Sequence, residues 1–241
     1  MATVNELLPD SLTSNLWVQI SLVAVWLGGI LLIAESLNRF AGTDSEITRK
    51  IVHIGTGNVI LFAWFLNIPA WVGIGAAILA AIVTLISYRF PILPGVNSIG
   101  RQSFGTFFYA LSIGLLIAWF WPQGKPEYAA IGILIMTYGD GLAAIIGQRF
   151  GRNKYEVFGS KKSLQGTLTM TIISFLVCGL ILLTVQGNIP PTWLVAAAVA
   201  LTATGLETFS KYGIDNLTVP LGSATIAYFL NLALLAHFSG F

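Results

Sequence analysis

Apolar residues run through this chain in long blocks rather than at a surface-helix or strand period. Eight blocks can be drawn, at roughly 16–36, 51–67, 70–88, 103–121, 128–148, 164–186, 192–208 and 218–238. The connections are short and polar, and Pro69, Pro122, Pro126, Pro190 and Pro191 mark several of them. A helix needs about 20 apolar residues to cross the hydrocarbon core of a bilayer. The pattern therefore predicts an all-α, polytopic integral membrane protein of about eight transmembrane helices, with seven to nine as the range. The second block is short and carries His53, which makes it the least regular. Residues 1–15 are expected to form a short non-cytoplasmic segment, and 16–241 a single transmembrane domain. There is no soluble domain, low-complexity linker or clear repeat.

Composition supports this. Of 241 residues, 12 are Lys or Arg and 10 are Asp or Glu, a charged fraction of 9%, against about 25% in soluble domains. The apolar fraction is 56% and mean hydropathy is +0.82. So few charges cannot clothe a soluble globule, and so much Leu, Ile, Val and Phe excludes disorder. A net charge of +2 gives no reason to expect nucleic acid as a partner. The one cysteine, Cys178, sits in an apolar run and cannot pair within the chain. The first fifteen residues hold Glu6 and Asp10 but no Lys or Arg. They lack the basic start of a signal or transit peptide, so the first block is expected to stay as an anchor, as in a bacterial or mature product.

The placement of the charges says more. Arg39, Arg49 and Lys50 follow the first block, and Arg89 and Arg101 the third. Arg149, Arg152, Lys154, Lys161 and Lys162 follow the fifth, and Lys211 the seventh. All but Lys125 thus fall on one side, which the positive-inside rule makes cytoplasmic. Glu35, Asp44, Glu46, Asp140, Glu156, Glu207 and Asp215 share that side, whereas Glu6, Asp10 and Glu127 do not. Anchoring requires only the positive charges, so the acids on that face need another explanation.

Four segments carry candidate chemistry. Asp140 lies between Gly139 and Gly141, well inside the fifth block. An Asp near the bilayer centre costs about 2.5–3.5 kcal/mol on insertion scales and calls for a cation, a partner or water. The flanking glycines permit a close ligand or a helix break; a packing role, bonded to Thr137 or Tyr138, is the alternative. Lys161, Lys162 and Ser163 precede a helix, with Gly159 and Gly166 nearby. Cations and free N–H groups there suit phosphate, although a basic anchor has the same composition. Asp215 and Asn216 begin the last block. They suit Mg²⁺, which takes one or two carboxylates plus waters and phosphate oxygens, or else a helix cap. Lys50 and His53 are three apart on one helix face, suited to phosphate, proton handling or plain packing. Carboxylates and lysines at one membrane face are equipment for phosphoryl transfer from a soluble nucleotide to a lipid alcohol. An ion-coupled transporter is the rival class, but it has little need for charges gathered on one face.

These segments together resemble the phytol kinase and dolichol kinase family, within the integral-membrane phosphatidate cytidylyltransferase superfamily. The resemblance rests on Arg49-Lys50-x-x-His53, on Gly139-Asp140-Gly141 with Gly147-x-x-Phe150-Gly151, on Lys162-Ser163-x-x-Gly166-Thr167, and on Asp215-Asn-Leu-Thr-Val-Pro220. The cytidylyltransferases carry a Pro-Gly-His-Gly-Gly stretch where this chain reads Val-Pro-Leu-Gly222 without His, which disfavours CDP-diacylglycerol synthesis. The resemblance implies a single catalytic domain, CTP as donor, Mg²⁺ as cofactor and a long-chain isoprenoid alcohol as acceptor. Phytol comes first; farnesol, geranylgeraniol, dolichol and diacylglycerol are alternatives. By the same resemblance Asp140 and Asp215 bind the metal with Asn216 assisting, and Glu207 supports them from behind. Lys161, Lys162 and Ser163 hold the nucleotide phosphates. Arg49, Lys50 and His53 orient phosphate, or His53 helps to deprotonate the alcohol. Asp140, His53 and Lys162 are the expected catalytic set. The setting implied is a bacterial, cyanobacterial-type plasma or thylakoid membrane with the active face cytosolic, the product serving tocopherol or other prenyl-lipid synthesis. The surrounding lipid is a partner, and a homodimer is left open.

Overall fold

The computed structural model describes residues 14–40, 45–90 and 104–238. Segment 1–13, the start of the fourth block at 103, and Glu6, Asp10, Asp44 and Arg101 lie outside the described residues, as do the side chains of Arg39 and Glu46. All eight apolar blocks are helical over most of their described residues. The helices are α1 Leu16–Phe40, α2 Ser45–Gly57, α3 Val59–Phe65, α4 Ala70–Arg89, α5 Gly105–Phe120, α6 Pro126–Leu134, α7 Gly141–Phe150, α8 Leu164–Gln186, α9 Pro190–Thr208 and α10 Asp215–Phe238. Apolar side chains favour this state because a helix pairs every backbone N–H and C=O internally, which hydrocarbon demands. Among the described residues, five helical stretches are long and apolar enough to cross a membrane: α1, α4, the continuous stretch Pro126–Phe150, α8 and α10. The chain is an all-α polytopic membrane protein, while length and composition alone support five spans rather than fixing eight.

Two blocks depart from a plain span. The second starts at Ser45 and splits at Asn58. There Asn58 Nδ2 donates to the Ile54 carbonyl at 2.7 Å, a local bond that competes with the helix ladder. The fifth carries one turn of π-helix, Ile135–Asp140, between α6 and α7. Such turns insert one extra residue and often mark functional sites.

The loop after α7 is not irregular. Strands β1 Lys154–Val157 and β2 Ser160–Ser163 form an antiparallel hairpin. Its two-residue turn holds Phe158 at φ 48° and Gly159 at φ 80°. Positive φ at both positions is the geometry that matches strand twist in tight hairpins.

The core is centred on Pro126–Asp140, which packs among α5, α8 and α10. Ile131, Ile133, Ile135, Met136, Met170, Leu182 and Val199 are wholly buried. Gly132 allows the closest approach: a Cβ there would run into the backbone carbonyl of Pro220 in α10. By contrast, α1 packs mainly on α2, and α4 mainly on α5.

Candidate functional site

Side-chain contacts bring the start of α2, the end of the π turn, the hairpin and the α9–α10 connection together. Two ion pairs meet there. Lys50 Nζ lies 2.5 Å from Asp140 Oδ2, with side-chain exposures of only 5% and 16%. The glycines beside Asp140 make room for its neighbours. A Cβ at Gly141 would come within 2.9 Å of Ile54, and one at Gly139 within 2.7 Å of Met170. Asp140 is therefore not tied to Thr137 or Tyr138. Thr137 Oγ1 donates to the Ile133 carbonyl and accepts from Tyr109 Oη, both at 2.7 Å. Tyr138 Oη donates to Asn58 Oδ1. His53, one turn after Lys50, lies 3.2 Å from the Met136 carbonyl through Nε2 and packs on the Tyr109 ring. A carbonyl only accepts, so Nε2 carries the proton in this bond and Nδ1 is left as an acceptor.

The second pair is built by the hairpin. Lys162 Nζ donates to the Glu207 carbonyl at 2.6 Å and also to its carboxylate. Strand alternation sends neighbouring side chains to opposite faces, so the adjacent lysines part company. Lys162 pairs in register with Tyr155 on the inner face, and Lys161 pairs with Glu156 on the outer face, exposed to solvent. Ser163 is buried and caps α8 by accepting from Gly166 N at 3.2 Å. Glycine packing fixes this corner. A Cβ at Gly166 would sit 3.0 Å from the Ala143 carbonyl, and one at Gly147 would sit 3.0 Å from Ser163 Oγ. Phe158 at the hairpin tip packs against Phe209, anchoring the hairpin on the α9–α10 connection.

Asp215 opens α10. Its Oδ1 accepts from the Asn216 backbone N–H at 3.1 Å and from Asn216 Nδ2 at 3.2 Å, so part of its work is to satisfy the helix start. Pro220 lacks the N–H that would otherwise take up the Asn216 carbonyl, leaving that oxygen as an acceptor beside the site. Asp140, Glu207 and Asp215 are near enough to repel one another, and the charges of Lys50 and Lys162 reach Asp215. Lys50 and Lys162 answer two of the three acids, whereas Asp215 makes no ion pair with a described residue. Among the described residues no three His, Cys, Asp or Glu side chains gather at metal-ligand spacing. The donor set is instead two repelling carboxylates, one of them without an ion-pair partner among the described residues. That fits Mg²⁺, which completes its shell with water and phosphate oxygens.

Against this charged cluster lies a cavity of about 520 Å³, within the usual range of small-ligand sites. Its walls are apolar faces of α1, α3, α4 and α5, including Val23, Leu27, Ile60, Ala77 and Ile113. Arg49, His53, Thr56 and Asn216 line its polar end. His53 thus faces the cavity while contacting the π turn that carries Asp140.

The tertiary structure gathers Lys50, His53, Asp140, Lys162, Glu207, Asp215 and Asn216 at one end of the bundle, with Arg49 at the cavity mouth. It separates Lys161 from Lys162. Sequence reasoning missed the hairpin, although Phe158-Gly159 between two strand-forming segments is a usable turn signal. It also missed Tyr109, Asn58 and the pairings of Lys50 and Lys162, for which local sequence holds no signal.

No family model matches the chain, and no solved structure matches it. It is 55% identical to a phytol kinase of Synechocystis over 213 residues, covering 88% of this chain and 91% of that protein. It is 27% identical to phytol kinase 1, chloroplastic, of Arabidopsis thaliana, covering 90% of this chain and 78% of the relative. It is 29% identical to a probable phytol kinase 1, chloroplastic, of Glycine max, covering 86% and 75%.

Proposed function

The chain belongs to the phytol kinase family, a family of alcohol kinases, and from that premise we propose that it transfers the γ-phosphoryl group of CTP to the hydroxyl of phytol. The observation that carries this reading is the apolar cavity ending at Arg49, His53 and Asn216, directly beside the Lys50–Asp140 pair. An isoprenoid tail lies in the cavity, which holds its hydroxyl at the charged end. Arg49 and Lys162 draw in the nucleotide phosphates. Ser163 and the α8 N-terminus add backbone N–H groups and the positive end of the helix dipole. Lys161 stands outside this set and at most attracts the nucleotide at long range. His53 accepts the alcohol proton at Nδ1. The alcohol oxygen forms its bond to the γ-phosphorus as the bond to the β-phosphate oxygen breaks, giving phytyl monophosphate and CDP. Lys50 fixes the Asp140 carboxylate, and little covalent work is left to the protein beyond positioning. Mg²⁺, held by Asp140 and Asp215 with Asn216 assisting, supplies charge neutralisation on the phosphates.

The basic loops support a cytosolic active face, in a plasma or thylakoid membrane of cyanobacterial type. The product is activated for prenyl-lipid synthesis, tocopherol included. The test is an assay of purified protein with γ-labelled CTP or ATP against phytol, geranylgeraniol, farnesol, dolichol and diacylglycerol, with Mg²⁺ or EDTA. Labelled phytyl phosphate that appears with CTP and vanishes with EDTA is expected. No metal-dependent label on any alcohol would overturn the kinase reading.

A further inference from the structure

The cavity has a floor as well as a mouth. Following the helices away from Arg49 and His53, it ends among Ala63 of α3, Ile68, and Val72 of α4. The turn beneath is pinned from two sides. Gln19 Nε2 donates to the Leu66 carbonyl at 2.8 Å, and Trp121 Nε1 donates to the Ile68 carbonyl at 3.0 Å. Leu66 and Ile68 are themselves buried, so the floor is packed protein. The side of the cavity is more open, because Ile20 and Ala24 of α1 and Ala76 and Ala80 of α4 line it yet remain exposed.

We propose that the pinned turn Leu66–Ile68 is a stop that sets the prenyl chain length the enzyme prefers, with the chain admitted sideways between α1 and α4. This rests on the alcohol-kinase reading above. Thr84, level with the polar end, and Val72, level with the floor, both line the cavity and are twelve residues apart on α4, which is roughly 18 Å along a helix. An extended chain advances about 3.5 Å per three bonds, so the sixteen-carbon main chain of a diterpenoid alcohol spans about the same distance. A sesquiterpenoid alcohol leaves the floor unfilled, and a much longer prenol seats its hydroxyl at His53 only by turning its tail out through the open side, which forfeits contact with the floor.

The experiment compares kcat/KM for farnesol, phytol and the long prenol solanesol in the purified enzyme and three variants. The unaltered enzyme should prefer phytol. Val72→Phe raises the floor, and the farnesol-to-phytol ratio should climb about tenfold or more. Ile68→Ala lowers it, and relative use of solanesol should rise. Ile78→Phe, on the lipid-facing side of α4 and outside the cavity lining, should leave the profile unchanged. An unshifted length profile in both floor variants would overturn the stop, as would farnesol and phytol turnover falling together in Val72→Phe without a loss of thermal stability. Failure of the unaltered enzyme to phosphorylate any alcohol would instead overturn the kinase reading.

Discussion

The two halves of this molecule are packed for different tasks. In the stretch Pro126–Phe150, 67% of the apolar span is buried inside the protein, whereas in α1 only 6% is. The first is a close-packed core in which glycines let backbones touch, as Gly132 does with Pro220. The other half, α1 to α4 with one face of α5, is a looser ring around a cavity. Asp140, Lys162, Glu207 and Asp215 all sit on the packed half. Lys50 and His53 come from the loose half and reach across the seam. On the proposed reading, positioning of charge and accommodation of a tail are divided between the halves, and the candidate site lies where they meet.

The severest way to break this division is Asp140→Asn. It removes a candidate metal ligand and leaves Lys50 buried without its partner. Turnover should fall by about a hundredfold to a thousandfold. The unpaired cation should cost about 3–5 kcal/mol of stability, read as a lower melting temperature in detergent. Adding Lys50→Met to that variant should restore much of the melting temperature but not the activity. If activity returned as well, Asp140 would be only a structural partner. Lys162→Met should be next, lowering kcat/KM by about tenfold to a hundredfold in a CTP titration. A third contrast concerns packing alone. Gly132→Ala drives a methyl into the Pro220 backbone, which cannot rotate aside, and should cost about 1–3 kcal/mol. Gly75→Ala, in α4 with nothing within 4 Å of its added Cβ, should change stability by less than about 1 kcal/mol. Equal losses in the two would erase the distinction between the halves. The smallest effect belongs to Lys161→Met. Its side chain faces away from the cluster, and the change in kcat/KM should be less than about fivefold. A loss matching that of Lys162 would mean that the hairpin turns both lysines inward when nucleotide binds.

Much of the site was legible in the chain because scarcity made it so. In a lipid-facing sequence an acid such as Asp140 cannot be casual, and Gly139 and Gly141 on either side signal close approach. The Lys161-Lys162 pair shows the limit of such reading. Adjacent charges look equivalent along a sequence, but a strand turns them to opposite faces. His53 likewise gave no sign that it would lie against Met136, because that contact joins segments far apart in the chain.

By itself the sequence determined the membrane setting, the helical state and the end of the bundle that holds the charges. These follow from local hydropathy, from backbone groups that must be paired in hydrocarbon, and from the cost of moving charge across it. Only the tertiary structure decided which acid answers which lysine, and that Asp215 makes no ion pair among the described residues. The floored cavity beside His53 is also a tertiary product. Partners and enclosed volume depend on how distant helix faces pack, and an apolar face reads the same in sequence whether it meets a neighbour, lipid or a cavity.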